Sequence, residues 1–152
     1  MHPVWNVRRQ LQPDRDPVQL RVWQVTGEAR EKNMNVLVFN GSPKGELSVT
    51  LQYVAYLQKK FPAQTFKIVH VGQRIKRLER DQQALAEVLD HVRSADLILW
   101  ATPVYYMLAP GQMKRFIELA FEQGGRDLFA GRYATALTTS IHFYDHTAHN
   151  YL

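Results

Sequence analysis

The stretch "VLVFNGSPKGELSVTLQYV", residues 36–54, decides the fold. An apolar run stops at Asn40-Gly41-Ser42-Pro43, and within about one turn a helical pattern begins whose first residues carry hydroxyls, Ser48 and Thr50. A buried strand is thus followed by a tight turn and the start of a helix. Free backbone N–H groups and the positive end of the helix dipole collect at such a junction, and Lys44 adds a full charge. It has the chemistry of a monophosphate cradle. In isolation the same residues read more readily as an N-cap at Ser48 and an ordinary Gly-Ser-Pro turn. Neither GxxxxGK[ST] nor GxGxxG occurs, so the two familiar phosphate loops are absent.

Outward from this junction, strand and helix alternate. Strands are expected at 35–39, 65–71, 96–102 and 133–140, and helices at 48–61, 81–95 and 110–125, with a last one starting at 145. The first helix places Leu51, Val54, Ala55 and Leu57 on one side, with Lys59 and Lys60 in its last turn. Asp81 is the expected N-cap of the second, whose stripe is Leu85, Val88, Leu89 and Val92. Pro110 opens the third and Gly124-Gly125 close it; Asp145 is the expected N-cap of the last. Apolar strands linked through helices give an α/β fold, a parallel sheet with helices on each side.

The 152 residues, 45% of them hydrophobic, suit one domain. Residues 1–33, with three prolines and one alternating segment at 18–25, read as an N-terminal extension to a domain at 34–152. There is no cysteine, which excludes a disulfide framework, a thiolate nucleophile and a protein-ligated iron-sulfur cluster within this sequence. Redox chemistry would have to come from a cofactor. Nineteen Lys plus Arg against fourteen Asp plus Glu give +5, which suits an anionic ligand. The basic cluster "RIKRLER" at 74–80 lacks interleaved aromatics for base stacking and reads as a solvated loop or helix entry, so no nucleic acid is expected. No segment approaches the roughly 18 apolar residues of a membrane span, and the expected location is cytoplasmic.

In an open α/β sheet ligands gather at the carboxyl ends of the strands, where the strand order reverses. The third strand ends in "ATPVYYMLAPGQMKRFIE", which sets a rigid proline and two aromatic rings, Tyr105 and Tyr106, where a flat heterocycle would lie. Together with "GSPK" and "SVT", this segment resembles the flavodoxin-like NAD(P)H-dependent oxidoreductases, the group of FMN reductases, quinone reductases and iron-sulfur flavoproteins. The resemblance covers about residues 34–150 and implies a doubly wound parallel sheet of strand order 2-1-3-4. It implies that Ser42, Lys44, Ser48 and Thr50 surround an FMN phosphate, and that Pro103, Val104, Tyr105 and Tyr106 pack along the isoalloxazine and present backbone amides to its edge. Thr139, Ser140, Ile141 and His142 would border the other side.

The resemblance further implies FMN as cofactor and NADPH or NADH as co-substrate, with a quinone, a flavin or a redox protein as acceptor, and a homodimer. Two departures stand out. The segment that carries the cysteine cluster in iron-sulfur members is "GQRIKRLERDQQ" here, and the fifth strand and helix of the family are missing, as if the chain were C-terminally incomplete. Two other functions compete: an FMN electron carrier without its own nicotinamide site, and a truncated interaction module that binds no flavin.

His142, Asp145, His146 and His149 lie close in sequence, but His146 and His149 have the spacing of an exposed helical face, and no metal is expected. His142, at the end of the fourth strand, is the candidate for proton delivery.

Overall fold

The alternation of side chains along the first and third strands builds two apolar faces at once. The computed structural model describes residues 33–142 and 144–152. The candidate strand at 18–25 and the rest of the extension before residue 33 lie outside the described residues. Within them, β1 (Asn35–Asn40), β2 (Thr65–Val69), β3 (Leu97–Pro103) and β4 (Tyr133–Thr139) form one sheet in the order β2-β1-β3-β4. All three pairings are parallel, with Val38 opposite Ile68 and Leu99, and Leu99 opposite Thr135. This is the flavodoxin-like doubly wound arrangement expected.

On one face Leu37, Phe39, Ile98 and Trp100 meet α2 (Val71–Leu78), α3 (Gln82–Arg93) and α4 (Gly111–Gly124) in the larger core. Phe39 is its centre, with ring centroids 5.0 Å from Trp100 and 4.8 Å from Phe116. Tilted pairs of this kind add about 0.5–1.5 kcal/mol each beyond the area they bury. On the other face Val36, Val38, Leu99 and Ala101 pack with Val54, Leu51 and Leu57 of α1 (Val49–Lys60). Ala55, expected in this stripe, is exposed, and Thr50 is buried instead, because the helix turns its early hydroxyls toward the strand ends.

Three local expectations are corrected. The basic cluster is mostly helix: α2 takes Val71 to Leu78, held by the burial of Val71, Gly72 and Leu78 at its ends while its basic residues face water. Pro110 caps α4 from outside, its carbonyl accepting the amides of Met113 (2.9 Å) and Lys114 (3.1 Å). In α5 (Asp145–Tyr151) the cap position is Tyr144, in a left-handed conformation, and Asp145 is the first helical residue. Asp81 does cap α3, accepting the Ala84 amide at 2.9 Å, and this bond chiefly holds its carboxyl below the usual carboxylate range. At the other end of α3, the Arg132 guanidinium donates to the carbonyls of Val92 (2.5 Å), which also accepts the Ser94 and Ala95 amides, and Arg93 (2.9 Å).

β4 differs from the central strands. Tyr133, Ala134 and Thr135 are exposed, and β4 is an edge of the sheet among the described residues. The structure describes four strands, all parallel.

Candidate functional site

β1 delivers its carboxyl end into a turn whose polar groups are nearly all enclosed. Asn40, Ser42, Ser48 and Thr50 are each at most 3% exposed. The Ser42 amide donates to Asn40 Oδ1 (3.1 Å), the Lys44 amide to Ser42 Oγ (3.3 Å) and the Gly45 amide to the Ser42 carbonyl (3.2 Å). Ser48 caps α1, its hydroxyl accepting the Leu51 amide at 3.2 Å. The amides of Ser42, Lys44 and Gly45 are therefore spent inside the turn rather than free. The anion donors this end offers are the first two amides of α1, at Val49 and Thr50, the hydroxyl hydrogen that Ser48 keeps, and the exposed Lys44 ammonium.

The opposite wall comes from the segments after β3 and β4. Tyr105 and Leu108 exchange two backbone hydrogen bonds, 2.8 and 3.1 Å, around a two-residue turn. Both central residues, Tyr106 (φ 47°) and Met107 (φ 68°), are left-handed, as a type I′ turn requires, although neither is glycine or asparagine. Tyr144 (φ 88°) is a third such residue at the same rim. The amide of Val104 donates to Thr139 (2.9 Å) and that of Tyr105 to Leu108, so neither is presented to a ligand edge as the resemblance implied.

β4 is tied to both walls. Thr139 Oγ1 lies 2.7 Å from Thr50 Oγ1, which links it to α1. Asp145 accepts Ser140 Oγ at 2.6 Å and Thr138 Oγ1 at 2.9 Å, and these two hydroxyls, Ser140 first, hold its carboxyl below the usual carboxylate range. Thr138 Oγ1 also lies 3.0 Å from His149 Nε2. A hydroxyl whose hydrogen goes to the carboxylate can only accept from the ring, so His149 carries a hydrogen on Nε2. The Thr147 hydroxyl lies between the Met107 and Tyr144 carbonyls, with one hydrogen to give to either, and brings α5 against the β3 turn as well.

Between the walls lies a cavity of about 490 Å3. It brings together Ser42, Lys44, Ser48, Thr50, Pro103, Val104, Tyr105, Tyr106, Thr139, Ser140 and His142, the residues singled out from sequence. Leu47, Val49, Met107 and Tyr144 join them without having been expected. Asn40 and Asp145 were missed in these roles. Asn40 sits in an Asn-Gly pair that reads as a plain turn, and the hydroxyl partners of Asp145 come from β4 and the residue after it, a link local spacing does not announce. No group of three or more His, Asp or Glu able to hold a metal occurs among the described residues, nor does any helix long and apolar enough to cross a membrane.

Solved structures share this fold. FerB, a flavoenzyme NAD(P)H:acceptor oxidoreductase from Paracoccus denitrificans, aligns at 26% identity and a TM-score of 0.59, over 70% of this chain and 61% of its own. RosB, solved with bound 8-demethyl-8-formylriboflavin-5'-phosphate, aligns at 14% identity and a TM-score of 0.59, over 78% of this chain and 56% of its own. An FMN-dependent NADH-azoreductase from Bacillus anthracis, in complex with FMN, aligns at 13% identity and a TM-score of 0.57, over 77% of this chain and 78% of its own. At these lower identities the likeness is one of fold, and the chain spans little more than half of RosB. The family model for NADPH-dependent FMN reductase matches residues 34–150, so the chain belongs to that family, whose cofactors are FMN and NAD(P)H.

Proposed function

We propose that the chain is an FMN-dependent NAD(P)H oxidoreductase that passes electrons from a reduced nicotinamide through flavin to a quinone, flavin or protein acceptor. The observation that carries this reading is that one cavity joins the buried hydroxyls and lysine at the start of α1 to the segment Pro103, Val104, Tyr105 and Tyr106 after β3. The cavity's volume lies in the range of small-molecule sites. A flavin mononucleotide has two matching ends, a phosphate of about −1.5 to −2 charges at one and a flat ring at the other.

Lys44, Ser48 and Thr50 would hold the phosphate, with Ser42 shaping the turn beneath it, since its hydroxyl already accepts the Lys44 amide. Pro103, Val104, Tyr105 and Tyr106 would flank the ring on one side, Thr139 and Ser140 on the other. The bound flavin supplies hydride acceptance and electron transfer, so the chain needs no general base of its own for that step. Its residues bind, orient and exclude water. His142, exposed at the rim, is placed to exchange a proton with substrate or solvent. Leu47, Tyr106 and Ile141 ring the mouth at 86%, 100% and 96% exposure, an apolar collar that favours a second copy of the chain as its cover.

The test begins with the visible spectrum of the purified protein and the mass of any cofactor released on denaturation, followed by NADPH and NADH oxidation with a quinone. The reading expects FMN, and release of it by the double substitution Lys44→Ala, Ser48→Ala. Full flavin occupancy in that variant would sink the phosphate assignment. FMN retained with almost no nicotinamide oxidation would instead mark a one-electron carrier.

A further inference from the structure

We propose that Asn40 is the positioning residue that sets the phosphate end of the cavity, and that His70 acts on the same end through it. The proposal rests on the reading of the loop after β1 as an FMN-phosphate cradle. Asn40 is the last residue of β1, is fully buried, and does not itself line the cavity. Its side chain spans the turn that does. Oδ1 accepts the Ser42 amide at 3.1 Å, Nδ2 donates to the Gly45 carbonyl at 3.3 Å, and Nδ2 lies 3.1 Å from His70 Nδ1.

The chemistry of these partners leaves one orientation for the amide. A backbone N–H can only donate and a carbonyl can only accept, so oxygen must face Ser42 and nitrogen must face Gly45. The second hydrogen on Nδ2 then points at His70, whose Nδ1 must accept it and whose ring hydrogen sits on Nε2. One side chain thus ties the first and last residues of the turn at 42–45 to the end of β2. Gly45 in turn accepts the Ser48 amide at 3.2 Å, so the same tie reaches the first residues of α1. Gly45 is left-handed, φ 56°, a conformation the tie helps to hold.

No other residue type reproduces this. Leucine fills the space but leaves the buried Ser42 amide unpaired and the Gly45 carbonyl with the Ser48 amide alone. Aspartate keeps the bond to Ser42 but turns an oxygen toward the Gly45 carbonyl and buries a charge beneath a dianion.

The experiment compares equilibrium binding of FMN and of riboflavin to flavin-free full-length chains. Riboflavin carries the same ring and no phosphate, so it reports on everything except the cradle. Wild type should bind FMN at least about tenfold more tightly than riboflavin, as charge-assisted hydrogen bonds to phosphate require. Asn40→Leu should weaken FMN by about tenfold or more while riboflavin stays within about twofold. His70→Ala, which removes one of the three bonds, should weaken FMN by about threefold with the same selectivity. If Asn40→Leu does not fold, Asn40→Asp serves, with a phosphate-selective loss at least as large.

Equal loss of FMN and riboflavin, or no loss of either, would overturn the positioning role while leaving the cradle intact. A wild-type protein that binds both flavins alike would overturn the cradle itself. The two failures are therefore distinguishable.

Discussion

At the wall formed by the loop after β1, the Asn40, Ser42, Ser48 and Thr50 side chains are enclosed, and each is engaged in a hydrogen bond. Across the cavity, Tyr106 is fully exposed, Tyr105, Met107 and Tyr144 are about half exposed, and three of these four residues hold left-handed backbones. The first wall is fixed by many short-range bonds around buried atoms. The second is held by a few ties, chiefly the Tyr105–Leu108 pair and the hydroxyl bonds made by α5. The contrast suits a site with one invariant demand and one variable one. In the proposed function the first wall meets a phosphate, which always has the same shape and which preorganised donors meet without rearrangement. Electron acceptors differ in shape, and a rim with exposed aromatics and stored strain can adapt to them.

The largest effect that would break this comparison is expected at Gly72. A methyl group there would overlap the Gly41 carbonyl oxygen, because the start of α2 packs directly on the turn after β1. Backbone cannot yield as a side-chain tip can, and overpacking of this kind costs about 1–3 kcal/mol. Gly72→Ala should lower the unfolding temperature by about 4 °C or more and weaken FMN by about tenfold or more, read by thermal unfolding and flavin titration. A variant with unchanged flavin affinity would show that the first wall is softer than its hydrogen bonds indicate.

A smaller effect is expected on the second wall, at Asp145. Its carboxyl is held below the usual range by the Ser140 and Thr138 hydroxyls, so it contributes stability in full above the unfolded value of about 3.9 and loses it as pH falls through the lower folded value. Asp145→Asn keeps an acceptor for only one hydroxyl well. At pH 7 it should lose about threefold to tenfold in kcat/KM as the loop carrying His142 shifts, with FMN affinity within about twofold. The stability gap to wild type should narrow as pH falls below the unfolded value and close only below the lower folded one, where both side chains are neutral. A gap that persists in acid would assign the role of Asp145 to its shape rather than its charge.

The two walls were unequally legible in the sequence. The apolar run at 36–39, the hydroxyl at Ser48 and the glycine after Asn40 are local signals, and local signals suffice for a strand, a cap and a turn. The stripe of α3 was equally plain, since Leu85, Val88, Leu89 and Val92 repeat at helical spacing and all four are buried. α2 was hidden because it is only eight residues long, and its stripe of Val71, Ile75 and Leu78 is too short to stand out among the basic residues between them. The left-handed turn at Tyr106-Met107 was hidden for a deeper reason. Nothing in Tyr-Met favours positive φ, so the conformation is imposed by the Tyr105–Leu108 bonds and by α5, contacts that exist only in the folded chain. Asn40 falls between these cases, visible as a turn residue and invisible as a tie to His70.

The smallest expected effect sharpens the comparison most directly, because it probes the imposed conformation alone. Met107 is 54% exposed at φ 68°, so its side chain contributes little packing and its backbone carries strain of about 1–2 kcal/mol. Glycine at this position removes the strain but loses about 0.5–1 kcal/mol more chain entropy on folding. The terms oppose, and Met107→Gly should leave stability within about 1 kcal/mol of wild type by denaturant unfolding. The same exchange run backwards at Gly45, also left-handed, meets only the carboxamide end of the exposed Gln73 side chain, which can move aside, so strain and chain entropy oppose there too. If Met107→Gly instead costs more than about 2 kcal/mol, the Met107 side chain is packing against the site, and the second wall is as built as the first.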